Sequence, residues 1–173
     1  MARDHDLVGR AAVLLGFARV ANLLLLASIL GGIAGSWFVP SFFHDILIEA
    51  DPAIDAAEGL KGIRLLMLIG IVMTVAVDRL LAPLSLMVED ARRGDPFVPA
   101  NAARLRRIGW ALLVLQLLDL AAAWLKAGWP SLGSAAPTGD ISIGGWLATL
   151  LVFVLARVFA AGSAMRDDLA GTI

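Results

Sequence analysis

The sequence predicts an all-α integral-membrane protein: a four-helix bundle, built as a single domain over residues 1–173. Three observations predict it. Hydrophobic residues make up 60% of the chain and mean hydropathy is +0.85. A soluble domain averages about 45–50% apolar residues, and one aqueous core of this size cannot bury the excess. The apolar residues fall into four runs, each long enough for the 17–25 residues or so that a membrane helix needs. Basic residues cluster at alternate ends of those runs, the mark of a fixed orientation.

The runs place spans at about 12–39, 60–88, 105–125 and 141–161. Backbone groups find no partner in hydrocarbon, so each run is expected to be helical. The first run carries no Asp, Glu, Lys or Arg from Val20 to Phe43. A signal-peptide core is only about 7–15 residues long, so this run reads as a retained helix. The connections are an outer loop over 40–59, a cytoplasmic loop over 89–104 and a second outer loop over 126–140. Of 14 basic residues, all but Lys61, Arg64 and Lys126 lie toward the ends read as cytoplasmic. Both termini are therefore expected inside. The first outer loop holds Asp45, Glu49, Asp51, Asp55 and Glu58. Their spacing fits no calcium loop, and a solvated face explains them. Asp51-Pro52 resembles an N-cap followed by a first-turn proline, so the second helix is expected to start there. The second outer loop, rich in Gly, Pro and Ser, reads as irregular.

Two stretches align without a gap at a shift of 78 residues: "RLLAPLSLMVED" (79–90) and "RVFAAGSAMRDD" (157–168). Arg79 and Arg157 then become equivalent, and the chain reads as two helical hairpins related by an axis along the membrane normal.

That equivalence raises the question of depth. If the second helix ends at Val88, Arg79 lies about 15 Å from its end, near the bilayer midplane, at a cost of at least about 2.5–3.5 kcal/mol. A second frame sets the boundary at Arg19, Arg79, Arg107 and Arg157, leaving spans of about 16–20 residues. Length favours this frame, because helix 12–39 would measure about 42 Å against about 30 Å of hydrocarbon. The arginines then snorkel to the headgroups, and Asp78 joins their ring as a partner for Arg19 or Arg157. The apolar extensions Ala11–Ala18, Leu80–Val88 and Val158–Met165 are left needing a surface to pack on.

Asp119 is the one charge this frame leaves deep, with Gln116 three residues earlier on the same face. Ser28, Thr74 and Thr149 are placed at comparable depth. Asp119 is either a proton or ligand site, or a protonated donor bonding two helices. Ala27, Gly31 and Gly35 form a small-residue stripe suited to close helix packing within the chain. In the cytoplasmic loop Gly94 suits a helix C-cap, Asp95-Pro96 a turn, and Asn101 the N-cap of a helix beginning at Ala102. Arg93, Asp95, Phe97, Asn101, Arg104 and Arg106 make up the part of this loop offered to anionic lipid headgroups or a docked cytosolic protein.

"RRGDPFVPANAARLRRIGW" and the ending "MRDDLAGT" resemble the bacterial membrane-protein family catalogued as domain of unknown function 2975. The resemblance rests on Gly94, Asp95, Pro96, Phe97, Asn101, Arg104, Leu105, Arg106, Ile108 and Gly109, then Met165 to Thr172, and extends over essentially the whole chain. It implies four apolar helices in a bacterial inner membrane. It also implies a small cytosolic helix-turn-helix regulator as partner, and it brings no catalytic residues.

The sequence holds no cysteine and only two histidines, His5 and His44, on either side of the first span. Thiol chemistry, disulfides and a histidine metal pair are excluded, and no phosphate-binding glycine loop is present. A net charge of −1 gives no basis for direct nucleic-acid binding. No cofactor, metal or enzymatic role is expected. The leading expectation is a membrane sensor or partner of the regulator. The alternative is a small transporter or proton-coupled channel using Asp119, for which four helices would need to assemble as a homo-oligomer. The orientation has a direct test: a reporter fused at residue 95 is expected to read as cytoplasmic, and an external reading overturns the assignment.

Overall fold

The computed structural model describes residues 2–50, 55–94, 98–128 and 142–170. Its elements are α1 (Ala2–Phe38), α2 (Pro40–Ala50), α3 (Ala56–Arg92), α4 (Pro99–Gly128) and α5 (Ile143–Ala170). All four long helices contain a stretch apolar enough to cross a membrane. Among the described residues there is no strand. At 37 residues each, α1 and α3 are about 55 Å long and overrun a hydrocarbon core of about 30 Å. The expected spans 60–88 and 105–125 lie inside α3 and α4, whereas α1 extends ten residues before the span expected at 12–39 and α5 nine residues beyond the one expected at 141–161.

Local chemistry fixes the helix ends, and three expectations are corrected. The start expected at Asp51-Pro52 falls on residues outside those described, and α3 begins instead at Ala56. Asp55 is its N-cap, its Oδ1 accepting from the N–H of Ala57 at 3.0 Å and of Glu58 at 3.4 Å. Second, α4 begins at Pro99 rather than Ala102. Proline suits a first helical position because its missing N–H would have no partner there. Asn101 is therefore not the cap. It lies inside the first turn, its N–H bonded to the carbonyl of Val98 at 2.8 Å. Third, the connection expected as a loop over 40–59 contains a helix, since α2 occupies Pro40–Ala50. Leu47 is its buried anchor, 1% exposed. Gly94 does end α3 as its sequence suggests, with φ +81° and its N–H on the carbonyl of Ala91 at 3.1 Å. Ser142 caps α5 by accepting from the N–H of Gly145 at 3.1 Å. The loop over 129–141 lies outside the described residues.

The chain forms two compact units. The first comprises Met1–Asn22, Ala76–Val114 and Ser142–Ile173; the second comprises Leu23–Val75 and Leu115–Ile141. Alanine is prominent in the core of the first, at Ala76, Ala111 and Ala156, beside Leu81, Leu105 and Ile108. Small residues let backbones approach, and that contact replaces the hydrophobic drive that lipid removes. Gly109 is the tightest case: a Cβ there would stand 2.9 Å from the ring of Phe153. That ring packs edge-on against Trp110, with centroids 5.6 Å apart.

In the second unit the expected small-residue stripe is kept only in part. Gly31 faces open space. A Cβ at Gly32 would stand 3.1 Å from the Met67 methyl, and one at Gly35 3.3 Å from the Phe43 ring, so Gly35 of the stripe is packed and Gly32 takes the place of Gly31. Arg64 closes the C-terminal end of α1. Its guanidinium donates to the Ser36 carbonyl and to Ser36 Oγ at 3.0 Å, and lies 4.3 Å from the centre of the Trp37 ring. That carbonyl is one of the last-turn acceptors that a helix leaves unpaired, so a cation is favourable there.

Large apolar side chains stay on the outside of both units, Phe17 of the first and Leu24 of the second among them at 74% and 65% exposure. The apolar extension of α1 is only partly covered, with Val13 and Leu14 also exposed. A surface of this kind is unsustainable in water and natural in lipid. Gly109→Ala is expected to cost about 1–3 kcal/mol by overpacking Phe153, read as a lower unfolding temperature in detergent.

Candidate functional site

The charges of the first unit sort into three groups. The first ties α1 to α3: Arg19 donates to Asp78 Oδ1 from Nε at 3.3 Å and from Nη2 at 3.1 Å. Of the two partners the sequence offered for Asp78, Arg19 is the one it meets. Both side chains are about two-fifths exposed.

The second group is a clamp across the α3–α4 turn. Arg104 Nη1 donates to the Asp90 carboxylate and to Asn101 Oδ1, the latter at 2.7 Å. The two charged side chains are 19% and 15% exposed, and Asn101 is 1% exposed. Asp90 sits in the last turns of α3, and Asn101 and Arg104 in the first turns of α4. One guanidinium therefore fixes both ends of the connection. Arg93 and Arg92 turn back onto Glu89 at 3.3 and 3.5 Å. Asp95 and Phe97, named from the sequence as loop contacts, lie outside the described residues.

The third group is the remainder of the ring, Arg79, Arg107 and Arg157, together with Arg106 of the loop set. All four are exposed, and none makes a hydrogen bond or ion pair with another described residue. The ring is thus not one network: one arginine pairs with Asp78 and the others carry free charge.

Asp119 and Gln116 belong to the second unit. Asp119 is half-buried on α4 and has no hydrogen-bond or ion-pair partner among the described residues, whereas Gln116 is engaged. The interhelical hydrogen bond expected of Asp119 is not formed among them. The hydroxyls placed at comparable depth from the sequence bond to their own helices: Ser28 Oγ donates to the Leu24 carbonyl at 2.9 Å and Thr74 Oγ1 to that of Ile71 at 2.8 Å. Thr149 of the first unit does the same with Gly145 at 2.9 Å. Such back-bonding satisfies a hydroxyl donor within an apolar span, and Thr74 makes a further contact besides. Among the described residues no three His, Asp or Glu side chains gather as a metal site would require.

Sequence reading missed two devices. Asp90 entered it only through the repeat, yet it anchors the clamp; an acid and a base flanking a Gly-Asp-Pro turn is the available signal. Arg64 was counted for topology alone, and nothing local marks Ser36 and Trp37 as its partners.

Residues 55–173 match the family described as "Protein of unknown function (DUF2975)". The chain belongs to this family. The match takes in α3, α4 and α5, and with them the whole Asp90–Asn101–Arg104 clamp. It leaves out α1 and α2, a narrower extent than the motifs suggested. No curated protein and no solved structure matches the chain.

The clamp and the Arg19–Asp78 pair should respond differently to substitution. Asp90→Ala strands a largely buried guanidinium and is expected to cost about 1.5–3 kcal/mol. Asp78→Asn breaks a more exposed pair and is expected to cost less than about 1 kcal/mol. Thermal unfolding of the two variants in the same detergent checks the order.

Proposed function

We propose that this protein is a non-enzymatic, multi-pass component of the bacterial inner membrane with both termini in the cytoplasm. Its α3–α4 turn holds or modulates a small cytosolic helix-turn-helix regulator. The observation that carries the reading is the clamp. A loop needed only to connect two helices has no use for a buried Asp90–Arg104–Asn101 network. A loop that must present one shape to a partner gains from it, because ordering completed before binding is not charged against affinity. The family resemblance supplies the kind of partner, and Phe97, which the sequence places between α3 and α4, is the apolar anchor offered to it. Solubilisation in mild detergent is expected to bring down the regulator encoded beside this gene. Phe97→Ala and Arg104→Ala should lose it, and Asp119→Asn should retain it. If the regulator does not co-purify and its transcription is indifferent to Phe97→Ala, the reading fails.

A second reading rests on Asp119, an ionisable group on an apolar helix with no partner among the described residues. Groups of that kind mark proton or ion paths in membrane proteins. Here a homo-oligomer would have to line the path. Proteoliposome flux that Asp119→Asn leaves untouched would remove its support.

A further inference from the structure

We propose that the first unit binds two anionic phospholipids, one in each of two hollows flanking the first turns of α4, each phosphate held by an arginine pair. One hollow, of about 270 Å³, lies between α3 and α4 and is lined by Arg79, Ala82, Pro83, Leu86, Arg104 and Arg107. The other, of about 480 Å³, lies between α4 and α5, with Arg106 and Arg157 over walls that include Ala102, Phe153 and Ala156. Helix geometry explains why α4 serves both. Arg106 and Arg107 are adjacent in sequence and so point about 100° apart around the axis.

Neither hollow has an acidic lining residue. Arg104 is already neutralised by Asp90, and Asp78 by Arg19. The charges left over are Arg79 and Arg107 on one side and Arg106 and Arg157 on the other, with no partner among the described residues. Two guanidinium groups at one cavity repel each other unless an anion lies between them. The planar fork of arginine suits a phosphate in particular. The walls select the source of that phosphate. Alanine, proline, leucine and phenylalanine offer a free inorganic ion nothing, but they pack against glycerol and the first acyl carbons. Position agrees with the boundary frame that span length favours: Arg79 and Arg157 each follow an apolar stretch of α3 or α5, where that frame sets the meeting of headgroups and hydrocarbon. The inference is independent of any bound regulator.

The test is native mass spectrometry of the full chain in neutral detergent, offered an equimolar mixture of phosphatidylglycerol and phosphatidylcholine. The wild type is expected to retain two phosphatidylglycerols, at least about tenfold in preference to phosphatidylcholine. Arg79→Gln with Arg107→Gln should lose one, and Arg106→Gln with Arg157→Gln the other, helicity being unchanged. Excess inorganic phosphate should displace neither. Equal retention of the two lipids, double variants that keep both phosphatidylglycerols, or displacement by inorganic phosphate would each overturn the proposal. The wild-type lipid comparison and the phosphate challenge decide it even if a variant fails to fold.

Discussion

Inside a bilayer no water is available to pair with a backbone N–H or C=O, and each orphan costs several kcal/mol. The rest of the structure follows from that cost. It forces α1, α3, α4 and α5 to run unbroken and to overrun the hydrocarbon, so that their unpaired end groups fall where partners exist. Asp55 and Ser142 satisfy N-termini, Gly94 turns the chain at the end of α3, and Arg64 closes the end of α1. The same constraint explains the hydroxyls. Ser28, Thr74 and Thr149 each bond a carbonyl of their own helix. Each hydroxyl donor is thereby satisfied within an apolar span by its own helix.

Packing is then left to shape. In lipid an exposed leucine costs nothing, so burial of apolar area does not drive helices together as it does in water. Close approach at small residues takes over. Gly109 against Phe153 and Gly32 against Met67 are contacts in which any larger side chain would hold the backbones apart. Alanine accordingly recurs in the core, and leucine and valine dominate the outside.

Polar interactions are few, and each has a distinct job. The Asp90–Arg104–Asn101 clamp is largely shielded and fixes a connection. The Arg19–Asp78 pair is half-exposed and ties two helices. The four remaining arginines hold no protein partner among the described residues, so their charge is available to something else. Shielding separates these roles: a charge pair out of water specifies geometry, while an open charge attracts ligands.

The sequence by itself determined the all-helical class, the four long apolar helices and the C-cap at Gly94, because hydropathy and turn chemistry are local or one-dimensional properties; it named Arg19 and Arg157 as partners for Asp78, and the tertiary structure chose Arg19. It was less informative wherever a contact joins distant residues. Asn101 resembles an N-cap until Pro99 is seen to start the helix and Arg104 to reach back to Asp90. Gly31 and Gly35 form a motif in the sequence, yet Gly32 takes the neighbouring helix, because a one-residue step turns a side chain by about 100°. The acidic stretch between the first two spans conceals α2, in which Leu47 alone is fully buried among the described residues. Which arginine is neutralised and which is free was likewise decided by the tertiary structure alone, since a side chain's partner depends on helices the chain reaches only after folding back on itself.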